Sequence, residues 1–119
     1  MAGAGDIKEP SYSLEDKGKD FKIFLEVMEL KTKFMSSKPV DGTKVEHKFT
    51  EKIVQVRVSI GNLTYKFNLQ LPEAIDVSQS KLLIIGDRKI ELWLRKKAQR
   101  SWESYIPTLY PSVKDFFSM

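Results

Sequence analysis

The chain has 119 residues, 41% of them hydrophobic and 30% charged, which describes one globular domain with a single core rather than a disordered segment. A net charge of +4 permits nucleic acid or acidic protein partners but selects neither. The absence of cysteine excludes disulfides, thiol chemistry and zinc-finger spacing. No apolar run approaches the roughly 20 residues of a membrane span, so no membrane partner is expected.

The opening "MAGAGDIKEP" lacks the basic-then-apolar layout of a secretory signal, so a soluble, cytoplasmic location is expected, with the nucleus also open. Residues 1–19 read as a flexible arm, rich in Gly, Lys and Glu, with Tyr12 and Leu14 its only anchors. From Phe21 the pattern has period two. Phe21, Ile23, Leu25 and Val27 share one face, and Lys22, Phe24, Glu26 and Met28 the other. A loop, "KTKFMSSKPVDGTK", precedes a short strand, "VEHKF".

The clearest element is "IVQVRVSIGNLTYKFNLQL". A two-residue Gly61-Asn62 loop pairs Ile60 with Leu63, Val58 with Tyr65, Val56 with Phe67 and Val54 with Leu69. Every pair is apolar on apolar, and a one-residue slip would flip the whole set. "LPEAIDVSQS" reads as a connection with one helical turn. "KLLII" and "KIELWLRKK" form a second hairpin. A three-residue loop sets Ile84 against Ile90 and Leu82 against Leu92, whereas a two-residue loop sets Leu83 against Ile90; the first is preferred. Beyond it, "SWESYIPTLYPSVKDFFSM" has no strand pattern. "SVKD" is a weak start for one helical turn, and the apolar ending reads as the cut edge of a longer protein. Six to seven hairpin-connected strands predict an all-β, antiparallel sandwich or small barrel.

Catalytic chemistry is not evident. His47 stands alone at a polar-side strand position, with no neighbouring nucleophile for it to activate. Carboxylates are scattered rather than converging on a metal, so no metal and no cofactor is expected. Arg95, Lys96, Lys97 and Arg100 form a basic cluster that reads either as edge protection or as a surface for an acidic partner. Trp93, Phe24 and Met28 are large apolar residues on the wet sides of the first and last strands. If those strands are neighbours, they make an aromatic patch among charges, the composition of a protein-recognition hot spot.

The ordered set "VEHKFTEK", "IVQVRVSI", "YKFNLQLPEAI", "SKLLI" and "RKIELWLRKK", followed by "SWESYI", resembles the CS domain, the α-crystallin-like β-sandwich of co-chaperones. The resemblance covers roughly residues 20–106, leaving 107–119 as a C-terminal extension, and "LRKKAQRSWESYI" is most similar to the calcyclin-binding (Siah-interacting) branch of the family. It implies a non-enzymatic adaptor linking to heat-shock protein 90 or to a ubiquitin-ligase assembly. In chaperone-binding members, a face built from the first and last strands makes the contact, with a Lys-x-Glu pair in the last strand. Here that pair is Lys89 and Glu91, beside Trp93. The expected protein-binding residues are therefore Phe24, Met28, Lys89, Glu91 and Trp93. The chain departs from the family in its longer loop from Lys31 to Lys44 and in having Glu26 at the apolar position usual for the first strand. The competing reading is a single-stranded nucleic-acid binder in which Phe24 and Trp93 stack bases beside the basic cluster; it is the less expected of the two.

Overall fold

The computed structural model describes residues 6–112, which form two four-stranded sheets packed as a sandwich. In chain order the strands are β1 (Asp6–Lys8), β2 (Ser11–Asp16), β3 (Asp20–Glu26), β4 (Thr43–Phe49), β5 (Ile53–Ile60), β6 (Leu63–Gln70), β7 (Ile75–Gly86) and β8 (Lys89–Lys96). One sheet has the order β1-β6-β5-β4 and the other β2-β3-β8-β7. Neighbours are antiparallel throughout except β1, which lies parallel to β6.

Alternation dictates the packing. Phe21, Ile23 and Leu25 of β3 and Ile90, Leu92 and Leu94 of β8 point inward and are fully buried. Across the sandwich they share one cluster with Val54, Val56, Val58, Tyr65, Phe67 and Leu69. The β5–β6 hairpin has the expected register, from Ile60 opposite Leu63 to Val54 opposite Leu69. Gly61 opens its turn at φ +57°, the left-handed region that such tight turns require.

The strand count is eight rather than six to seven, because residues 6–16 are not a loose arm. β2 alternates as the other strands do: Tyr12 sets its ring 5.9 Å from Phe67 and Leu14 packs on the core. Its third inward residue is Asp16, and a charge at that position hides the period. The expected connection at 75–80 also differs, since it continues β7. The register of β7 against β8 shifts between Asp76 and Lys81. The Asp76 carboxylate accepts from the Ser78 amide and hydroxyl, and the Ser80 hydroxyl accepts from the Arg95 amide in place of a main-chain partner. Side chains thus satisfy the groups that the bulge frees.

At the β7–β8 turn, Ile84 faces Ile90 and Leu82 faces Leu92, as the preferred register has it. Gly86 lies opposite Lys89, and an irregularity at Ile85 takes up the extra residue. After β8 the chain closes one end of the sandwich. Trp102 is fully buried with its ring 4.8 Å from Phe21, and a 3-10 helix, Glu103–Thr108, follows. Residues 107–112 also join the fold: Leu109 is buried, and Ser112 exchanges both backbone hydrogen bonds with Asn68 of β6. The helical turn expected from "SVKD" lies outside the described residues beyond Ser112.

Candidate protein-binding face

β3 and β8 are direct neighbours, and that pairing decides what the outward face of their sheet carries. Phe24 stands opposite Glu91 and Lys22 opposite Trp93. β2 adds Ser13 and Glu15 on one side; β7 adds Leu83 and Lys81 on the other. Two rows cross the sheet: Ser13, Phe24, Glu91, Leu83, and Glu15, Lys22, Trp93, Lys81.

Trp93 is held by its own sheet. Its indole N–H donates to Glu91 Oε1 at 2.9 Å, and the Lys22 ammonium lies 5.4 Å from the ring centroid. Lys22 Nζ is also 3.1 Å from Glu91 Oε2, with the two side chains only 22% and 17% exposed. The hydrogen bond from Trp93, together with the Lys22 ammonium, outweighs burial and holds the Glu91 carboxyl below its ordinary value. Trp93 and Phe24 are both partly buried rather than bare. Beside them, Asp20, Gln79, Lys81, Leu83, Glu91, Trp93 and Arg95 line a shallow groove of about 410 Å³.

The five expected site residues do not form one cluster. Phe24, Glu91 and Trp93 come together. Lys89 is exposed in the next row, opposite Glu26. Met28 lies in the turn after β3, 53% exposed and beyond the last paired row, Glu26 opposite Lys89. Lys22, Leu83 and Arg95 also belong to the face, although none was among the expected binding residues. The polar phase of "DFKIFLE" held a signal for Lys22, but Leu83 required knowing that β7 flanks β8. The described part of the C-terminal extension runs to β6, in the opposite sheet, and not over Trp93.

The basic cluster is dispersed into ion pairs. Arg95 Nε is 2.7 Å from Asp20, Lys96 Nζ 2.9 Å from Asp16, Lys97 Nζ 3.0 Å from Glu51 and Arg100 Nε 3.5 Å from Glu73. Edge protection is not its role either, because β8 lies inside its sheet. His47 is on the core-facing side of β4, opposite Val56, rather than at a polar-side position. It is nonetheless exposed, since β4 is an edge strand, and its ring lies 4.7 Å from Phe49. Among the described residues, no group of three or more His, Asp or Glu could hold a metal ion, and no helix is long and apolar enough to cross a membrane.

No protein-family model matches the chain, and no curated protein is significantly similar to it.

Proposed function

We propose that the chain is a non-enzymatic protein-interaction module of co-chaperone or adaptor type, and that the outward face of β2-β3-β8-β7 is its contact surface. The observation that carries this reading is the β3–β8 pairing, which sets Phe24 and Trp93 in adjacent rows among Lys22, Glu91, Lys81 and Lys89. Aromatic anchors ringed by charges are the usual composition of a hot spot. Trp93 is also preorganised by Glu91 and Lys22, so docking would freeze little further side-chain freedom.

The resemblance of the last strand and closing tryptophan to the CS domain directs the choice of partner. It points to heat-shock protein 90 or a ubiquitin-ligase assembly, and to the central domain of calcyclin-binding protein as the comparable module. The neutralised basic cluster weighs against nucleic acid, whose binding depends on cations free to displace counterions.

The test is a titration of the chain with purified heat-shock protein 90 and with a single-stranded oligonucleotide, beside affinity capture from lysate. Phe24→Ala and Lys89→Glu should each weaken chaperone or ligase capture, and the Lys89→Glu loss should shrink as salt screens the charge. Capture unaffected by both substitutions, or tight oligonucleotide binding that falls steeply with salt, would contradict the proposal.

A further inference from the structure

A second apolar feature stands apart from the β3–β8 face. The loop between β3 and β4 folds into a small hairpin of its own: Thr32 bridges Pro39, Lys33 N–H donates to Lys38 O at 2.8 Å, and Val40 N–H donates to Lys31 O at 3.0 Å. At its tip the Ser36 amide donates to Lys33 O at 3.0 Å, and the Ser36 hydroxyl accepts from the Lys38 amide at 3.0 Å. The base is pinned to the β7–β8 turn, where the Thr32 amide and hydroxyl donate to the Asp87 carboxylate at 2.7 and 2.9 Å. This hydrogen-bonded loop holds its two large apolar residues out into solvent. Phe34 is 92% and Met35 90% exposed.

The surroundings of the tip are cationic. Lys31, Lys33 and Lys38 project from its legs, Arg88 lies on the adjoining turn and Lys89 opens β8, all exposed. Against these five cations stand three carboxylates, Asp41, Asp87 and Glu26, the last opposite Lys89, a local balance of +2. Between tip and turn lies a groove of about 690 Å³ whose lining includes Lys33, Phe34, Met35, Ile85, Arg88 and Lys89.

We propose that this hairpin is a peripheral docking element for an anionic lipid bilayer, with Phe34 and Met35 entering the headgroup–acyl boundary while the surrounding lysines and Arg88 lie against lipid phosphates. The shape favours a bilayer over a protein. A convex two-residue tip offers little flat area for a protein interface, whereas an apolar tip beneath a collar of cations matches the depth profile of an anionic leaflet. The element borders the adaptor face at Lys89, which belongs to both, but Phe34, Met35, Lys33 and Lys38 lie outside that face. It also differs from the expectation of no membrane partner, which rested on the lack of a spanning segment.

The test is co-sedimentation of the full chain with phosphatidylcholine vesicles and with vesicles also carrying phosphatidylserine. The wild type should bind the anionic vesicles and not the neutral ones, with affinity falling as salt rises. Phe34→Ser combined with Met35→Ser should weaken binding at least about tenfold, and Lys33→Glu combined with Lys38→Glu should abolish it. Unchanged melting curves would show that both variants fold. Soluble glycerophosphoserine should not compete, since it offers no apolar layer. Failure of the wild type to bind anionic vesicles would overturn the proposal, as would a tip variant that binds equally well or displacement by the soluble headgroup. Loss of a captured protein partner on tip substitution, with vesicles ignored, would reassign the hairpin to a protein contact.

Discussion

Each tryptophan has a lysine over its ring that pairs with a carboxylate, a triad in opposite settings, but the indoles differ: the Trp93 N–H donates to Glu91, whereas the Trp102 N–H is buried without a hydrogen-bond partner. Lys96 lies 5.5 Å from the Trp102 ring centroid and pairs with Asp16; Lys22 lies 5.4 Å from that of Trp93 and pairs with Glu91. The first triad is inside. Trp102 is fully buried, and the Lys96 and Asp16 side chains are 1% and 6% exposed. Its polar groups are largely consumed within the fold: Asp16 accepts from the Gly18 and Trp102 amides, and Lys96 also donates to Arg100 O. The second triad lies on an outward sheet face and leaves part of each side chain in solvent. A lysine–carboxylate pair thus stands beside a tryptophan both at the closed end of the core and on an outward sheet face. Burial separates the two roles.

Substitutions should separate them as well. Trp102→Ala empties the closed end and should cost about 3–5 kcal/mol in a urea melt, with Tm falling on the order of 15 °C. Lys96→Ala leaves a buried carboxylate without its cation. Its cost should be about 3 kcal/mol, at the low end for a broken buried pair because Asp16 keeps two amide donors.

Acid should act on the buried triad. Burial alone would raise the Asp16 carboxyl, but Lys96 and the Trp102 and Gly18 amides outweigh it and hold the group at about 2, against an ordinary 3.8. The folded state then binds this proton less readily than the unfolded chain does. The Asp16 contribution is fully present above about pH 4 and is lost as pH falls towards 2. Melts across that window should show a loss of stability that is reduced in Asp16→Asn. On the outward triad, Lys22→Ala should cost less than about 1 kcal/mol, since a partly exposed ion pair and cation–π contact are worth little. A loss at Lys22 as large as that at Lys96 would mean that the two triads do not differ in kind.

The contrast also shows what the sequence makes legible. The β5–β6 hairpin could be read residue by residue, because both strands alternate cleanly and Gly61-Asn62 fixes the loop. Inward Phe21 to Val27 followed from the same rule, whereas the Ile84–Ile90 register, the preferred of two, arises from a two-residue Asp87-Arg88 turn with an irregularity at Ile85 rather than from the expected three-residue loop. β2 was missed because Asp16 takes an inward position whose main partners, Lys96 and the Trp102 amide, lie 80 and 86 residues away. The 75–80 part of β7 was missed because hydrogen bonds accepted by the Asp76 and Ser80 side chains support a bulge that breaks the period. The basic cluster misled for a related reason: its four carboxylate partners come from β2, β3 and two connecting segments. Phe24, Glu91 and Trp93 were legible as outward residues. That they share one surface depends on the order β2-β3-β8-β7, which is a property of the assembled sheet.

The most direct measurement compares thermal stability and partner binding in one variant, Trp93→Ala. The outward triad presents a surface, so its tryptophan should be dispensable for folding and required for contact. Tm should fall by no more than about 5 °C, while affinity for heat-shock protein 90 or the captured ligase component drops by about 2 kcal/mol or more, roughly thirtyfold. A Trp93→Ala protein that melts as far below wild type as Trp102→Ala, or that binds its partner equally well, would contradict the assignment of this face.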